Sequence, residues 1–294
     1  MLFNLQDAVK QAAAQSQDMN VATKGGGGGD YTPPATGLVR LRFVGYIEMG
    51  KHEGMWQGKP KTNEKVWLVF ELSGPKHEPR KLEDGTEVPQ RITVKLNKSL
   101  SEKAGFYKLF KAMNYDGKAK IMAELLGNAY LGNIFHREFD KKGGGKGIEA
   151  DLVDPNTKAF TVRAPLVEDP ETGETKRVKV SDPLTEPKCF LWDFPSKAMW
   201  DSIYIDGEYP ERKDEKTGEV IAPAKSKNVF QNAIMSAKNW QGSPMQVLLE
   251  GAVDIGGTDT PAKAKAAANP EPSPQDDPVD ESPAVEDDDP LAQF

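Results

Sequence analysis

Three alternating runs, LVRLRFVGYI (38–47), KVWLVFEL (65–72) and QRITVKL (90–96), constrain the fold of this chain more than any other feature. They are rich in β-branched and aromatic residues and alternate between apolar and polar positions, the pattern of strands with one buried face. One face collects Leu41, Phe43, Ile47, Val66, Leu68, Phe70, Leu72, Ile92, Val94 and Leu96, the expected core. The other collects Arg40, Arg42, Tyr46, Lys65, Trp67, Glu71, Arg91, Thr93 and Lys95. Five bases and two aromatics on one sheet face make an unusual solvent surface.

The segments after these strands fit a barrel. SLSEKAGFYKLFKAMN (99–114) has helical spacing, with Ser99 or Ser101 as N-cap and Leu100, Phe106, Leu109, Phe110 and Met113 as its buried stripe. KAKIMAELLG (118–127) reads as more helix, closed by Gly127, and NAYLGNIFHREF (128–139) as a fourth strand with a bulge at Gly132. Three strands, a helix and a strand is the order of an OB barrel, which needs one more strand to close. Further on, 158–167 and 175–180 read as a hairpin, and KCFLWDF (188–194) as a strand with Phe190, Trp192 and Phe194 on a core face. Residues 205–223 read as a second, polar hairpin, 226–240 as a helix, and MQVLLEGAV (245–253) as a final strand. The class is therefore mainly β with α: an OB-fold-like five-stranded barrel with helical and hairpin insertions, spanning 30–255.

Both flanks differ from this body. Residues 1–29 hold a short amphipathic stretch (2–14) and GGGGG, read as an N-terminal helix on a glycine linker. Residues 256–294, rich in Pro, Asp and Glu, have too few large apolar side chains to offset their ordering entropy, and are expected to be disordered. Charge divides along the same lines. The net of −7 splits into −8 for 259–294 and +1 for the remainder, of which 1–165 carries +6 and 166–258 carries −5. A basic front half with an acidic tail is a cue for nucleic-acid contact.

Other classes lack their residues. Cys189 is the single cysteine, and His52, His77 and His136 have no ligand spacing, so neither a disulfide nor a metal centre is expected. No cofactor is implied. The first residues lack the basic and apolar segments of a signal peptide, and no run reaches the roughly 18 apolar residues of a membrane span. GGGKG (143–147) has no Ser or Thr after Lys146, which excludes a Walker motif. Lys141, Lys142 and Lys146 read instead as a mobile basic loop.

Between the first two strands lies EMGKHEGMWQGKPKTNE (48–64), read as a long mobile hairpin loop with Lys51, Lys59, Lys61 and an isolated Trp56. Stacking on a base stabilises by roughly 1–3 kcal/mol whatever the base, and would occupy such a tryptophan. Lysines beside it would pair with phosphates and release counterions. The C-terminal VEDDDPLAQF (285–294) can lie in the same groove as a phosphate mimic, while Leu291 and Phe294 suit a partner's pocket.

VRLRFVGYIEMGKHEGMWQGKPKTNEKVWLVFEL (39–72) and the terminal EDDDPLAQF resemble the single-stranded DNA-binding proteins of tailed bacteriophages. The resemblance covers residues 38–139 and the tail, and implies an OB fold that binds and protects single-stranded DNA without sequence preference in replication, recombination or repair. It implies a place in the cytoplasm of the infected bacterial host. Carried over by position, Tyr46, Lys51, Trp56, Lys59, Lys61 and Lys65 would contact DNA, joined on the sheet face by Arg40, Arg42, Trp67, Arg91 and Lys95. Asp287, Asp288, Asp289 and Phe294, with Leu291, would recruit replication proteins such as DNA polymerase and helicase-primase. The spacing to the final Phe through Pro290–Gln293 is longer than in the bacterial tail pattern. A strand-annealing mediator is the nearest alternative, with the N-terminal helix as the element for a homo-oligomer. A metal-dependent nuclease is the rival enzyme, but the carboxylates form no paired motif, and the chain is read as non-enzymatic.

Overall fold

The computed structural model describes residues 32–251 except 57, 83, 141–144, 214–216 and 219, with the backbone alone for 55, 56, 212, 221 and 222. The expected N-terminal helix, the acidic tail, Lys141 and Lys142 lie outside the described residues. The chain divides into Met1–Thr32 and Pro33–Phe294, and the elements named here belong to the second unit.

Five antiparallel strands make the main sheet: β1 (Gly37–Trp56), β2 (Lys59–Ser73), β3 (Arg91–Asn97), β4 (Ala129–Asp140) and β5 (Lys146–Asp151). Their order is β3-β2-β1-β4-β5, and a short β6 (Lys188–Phe190) adds in parallel to β1. The expected strands are therefore present, in the expected sequence order. Among the described residues no hydrogen-bonded ladder joins the outer strands β3 and β5, so the sheet is not a closed barrel.

The predicted alternation holds in β2 and β3 and breaks in β1. The β1–β2 register shifts between Phe43 and Gly45 and again between Glu48 and Gly50, leaving Val44 and Met49 as extra residues. Each bulge offsets the alternation by one. Leu41 and Phe43 point into a first core with Val66, Leu68, Phe70, Ile92, Val94 and Leu96, as expected, but past Val44 it is Tyr46 that joins them. Ile47, expected on that side, lies on the other.

That other face is not solvated. Helices α2 (Lys197–Ser202), α3 (Val229–Met235) and α4 (Pro244–Leu249) belong to the layer that covers it. Val44, Ile47, Met49 and Val69 there form a second core with Phe190, Trp200, Ile203, Phe230, Ile234 and Met245. The last segment, expected as a strand, is helix α4: Ser243 accepts a hydrogen bond from Gln246 N, and Pro244 occupies the first turn, where its missing N–H costs nothing.

Smaller differences have equally local causes. Helix α1 (Gly105–Met113) buries Phe106, Leu109 and Met113, but Ala104 is its N-cap, not Ser99 or Ser101, and Leu100 is exposed. Residues 118–127 form only a 3-10 turn at Met122–Leu125, because Glu124 turns back to accept from Lys120 N and Ile121 N. Gly132 sits in an unshifted ladder and is needed for closeness: a Cβ there would lie 2.9 Å from Leu41 Cδ1. In the 188–194 run only Phe190 is fully buried, Trp192 is half-buried, and Phe194 is 79% exposed beyond the end of β6. The expected hairpin appears as Leu166–Glu168 with Thr175–Arg177, and the polar one as two short ladders within 208–226.

Candidate nucleic-acid interface

The segment expected as a mobile loop is ordered strand. The β1–β2 ladder continues from Gly50↔Lys65 to Trp56↔Lys59, so the hairpin projects as a two-stranded arm, about 20 Å long at roughly 3.4 Å per residue. Gly58 in the turn takes φ +75°, a left-handed conformation open to glycine.

The register sorts the arm's residues. Directly opposed residues share a face. One face therefore has Gly50, Lys65, His52, Asn63, Gly54, Lys61 and Lys59, with no carboxylate. The other has Lys51, Glu64, Glu53, Thr62 and Pro60. Alternation along β2 then runs Lys59, Lys61, Asn63, Lys65, Trp67 and Val69 along one unbroken face, with Lys95 opposite Trp67. Acid returns to this face of β2 only at Glu71.

Trp67 is half-buried, its ring edge against Phe230 at a centroid distance of 5.8 Å, and Lys95 Nζ lies 4.6 Å from its ring centre. That arrangement holds a cation over a partly exposed indole, beside the lysine row. Lys59 and Lys61 are exposed and Lys65 is half-buried, its Nζ beside Gly54. The described residues thus bring together Lys59, Lys61, Lys65, Trp67 and Lys95. Trp56 stands opposite Lys59 in the ladder, and its side chain lies outside the described residues.

The remaining candidates have other positions. Tyr46 is buried, a correction that follows from the Val44 bulge, and its hydroxyl donates to Glu48 Oε1 at 2.8 Å. Burial, with the Glu48 carboxylate second, pushes its phenol far up from the ordinary range. Arg42 is committed within the fold: its guanidinium donates to the carbonyls of Gly127, Val180 and Ser181 at 2.7–3.0 Å and meets Asp182 at 3.5 Å. Arg40 is half-buried on the same face, opposite Ser73. Arg91 pairs with Glu71 at 3.5 Å. Lys51 is exposed on the arm's acid-bearing face. Lys146 pairs with Glu138 at 2.7 Å on β4, so it belongs to a strand rather than a loop.

Two buried carboxylates, Glu48 at the base of the arm and Glu71 at the far end of the inner hairpin, tie later segments to the sheet. Glu48 accepts from the Tyr46 hydroxyl, from Trp192 N at 2.9 Å and from Lys98 Nζ at 2.7 Å. Glu71 accepts from Leu184 N at 2.8 Å, from the Thr185 hydroxyl and from Arg91. Residues 181–192 are thereby tied to β1 and β2, and the turn after α3 does the same for the arm. Lys238 N donates to Lys51 O, Lys51 N to Asn239 Oδ1, and Lys238 Nζ pairs with Glu53.

Sequence reasoning missed His52, whose two-residue spacing with Gly50, Gly54 and Trp56 was readable once the segment was taken as strand. It also missed Lys188. Burial and then the charge of Arg91 lower the pKa of its ammonium. The neighbouring Cys189 thiol is pushed up to about 11, chiefly by burial, and stays protonated at neutral pH. No group of His, Cys, Asp and Glu suited to a metal occurs among the described residues, where also no helix is long and apolar enough to cross a membrane. No protein-family model, curated protein or solved structure matches the chain.

Proposed function

We propose that this chain binds single-stranded DNA without sequence preference, as a non-enzymatic protein of phage DNA replication, recombination or repair built on an OB-like sheet. The observation that carries the reading is the face running from Lys59 through Lys61 and Lys65 to Trp67 and Lys95, with no carboxylate in its register. Lysines two residues apart on a strand stand about 7 Å from one another, a spacing along which an extended polyanion can be tracked. The half-exposed indole at the end of the row offers a stacking surface that any base can use. The acidic tail, through Asp287, Asp288 and Asp289, competes for the basic face, and its apolar residues Leu291 and Phe294 recruit replication proteins such as polymerase and helicase-primase.

Titration of intrinsic tryptophan fluorescence with oligo-dT and with duplex of equal length, at several salt concentrations, tests this. Quenching by oligo-dT with a salt slope of about −0.7 per phosphate contacted is expected, with weaker response to duplex. Chain 1–258 should bind more tightly than the full chain. Absence of quenching at low salt in both chains would sink the proposal.

A further inference from the structure

One step of the alternation beyond Trp67, on the same face of β2, Val69 joins Val44 and Ile47 in the floor of a pocket of about 150 Å³. Ile205 and Phe230 wall it, and Thr185, Glu186, Arg91 and Lys188 form its polar margin. A volume of about 150 Å³ accommodates one six-membered aromatic ring, as an apolar cavity of that size holds benzene. A fused two-ring purine is longer across its ring system and fits that volume less readily.

The margin carries two cations, Arg91 and Lys188, and one carboxylate, Glu186. Glu71, the carboxylate nearest Arg91, already accepts from Leu184 N and Thr185 as well as from Arg91. Glu186 is exposed and pairs with neither base among the described residues. The Lys188 ammonium has no hydrogen-bond or ion-pair partner among them, and the neighbouring charge that bears on it is the like charge of Arg91. Two adjacent cations over an apolar floor, one of them unpartnered, complement a flat ring that carries an anion.

We propose that this pocket takes one pyrimidine base of a bound single strand, with the phosphate of that nucleotide on Lys188 and Arg91. The inference rests on the single-strand reading and adds a subsite to it: the arm holds any strand, and the pocket favours pyrimidines.

The test uses the full chain with methyl-labelled Val and Ile, titrated with dTMP and separately with dAMP. dTMP should shift the methyl signals of Val44, Ile47 and Val69, with dAMP weaker by about tenfold. Lys188→Gln breaks no side-chain hydrogen bond or ion pair among the described residues, and should weaken dTMP binding by about tenfold, whereas Val69→Phe should abolish it by filling the floor. Both variants should bring the affinity for oligo-dT toward that for oligo-dA, while replacing Lys59, Lys61 and Lys65 together by Ala should weaken both oligomers alike. If oligo-dT quenches the tryptophans but dTMP leaves the three methyl groups unmoved, the pocket assignment is wrong and the arm assignment stands. Binding of neither overturns both. Shifts produced by a peptide of residues 282–294 but not by dTMP would overturn the nucleotide in favour of a peptide occupant.

Discussion

The inner and outer halves of the β1–β2 hairpin are made of the same two strands and answer to different rules. In the inner half, residues 44–49 and 66–69, β1 and β2 lie between two apolar cores, with Tyr46, Ile47 and Glu48 in a row all buried. In the outer half, 50–56 and 59–65, alternation puts both acids, Glu53 and Glu64, on one face and leaves Lys59, Lys61 and Lys65 on the other. The difference teaches that a period of two reports one buried face only where the opposite face meets water. Where both are covered, a bulge can pass unnoticed in the sequence because both faces accept apolar residues.

The contrast can be broken most severely at the inner half. Glu48→Ala would leave the Tyr46 hydroxyl, Trp192 N and the ammonium of Lys98 without their common acceptor. A loss of about 3 kcal/mol in urea unfolding is expected, since stripping one partner from a buried, hydrogen-bonded pair is costly. A cost under about 0.5 kcal/mol would mean that this carboxylate does not hold the base of the arm.

At the junction, Gly50 has φ +81°, and a Cβ there would run into the Trp192 ring and Ala237. Gly50→Ala should cost about 2 kcal/mol by the same measurement, while Gly58→Ala at the open tip should cost about 1 kcal/mol. Equal costs would erase the distinction between the halves.

Tyr46 sharpens the comparison through pH. Its folded pKa is raised above the ordinary value of about 10, so the unfolded chain releases this proton first as pH rises. The stability held by the neutral phenol is complete below about pH 10 and is lost above it. Tyr46→Phe should lower stability near neutrality by about 1 kcal/mol through the lost bond to Glu48, and flatten the alkaline decline. Parallel stability curves for the two proteins between pH 8 and 11 would contradict the assignment.

The smallest effect on stability belongs to the outer half. Replacing Lys59, Lys61 and Lys65 together by Ala should change unfolding free energy by no more than about 0.5 kcal/mol. The same variant should reduce the salt slope of oligo-dT binding by about 2, corresponding to three phosphate contacts. Stability lost without any change in salt slope would make the arm a structural element alone.

Much of the first sheet was legible because its residues carry their own signals. β2 and β3 alternate without interruption, so Val66, Leu68, Phe70, Ile92, Val94 and Leu96 were read correctly as one face, and Lys65, Trp67, Arg91 and Lys95 as the other. Tyr46 and Ile47 were exchanged because nothing in VGYI marks Val44 as an extra residue. The covering layer was illegible for another reason. It is built by segments far along the chain, and Ser243-Pro244 with Gln246, a helix start by local chemistry, was outweighed by the β-branched and aliphatic character of MQVLLEGAV. Arg42 shows the same limit: its guanidinium serves carbonyls at Gly127, Val180 and Ser181, and an arginine on a strand gives no sign of how distant its acceptors are.

The second core sets an order of events during synthesis. β1 needs β6, the 181–192 segment and α3, and one of its anchoring hydrogen bonds, Lys51 N to Asn239, spans 188 positions of sequence. Such non-local pairings come late in folding. A nascent chain that has reached Val162 can assemble the first core, but Val44, Ile47, Met49 and Val69 stay uncovered until the residues of α3 have left the ribosome. During that interval the growing chain presents an apolar sheet face beside the row of arm lysines, and that face is where chaperones or a second chain would engage it.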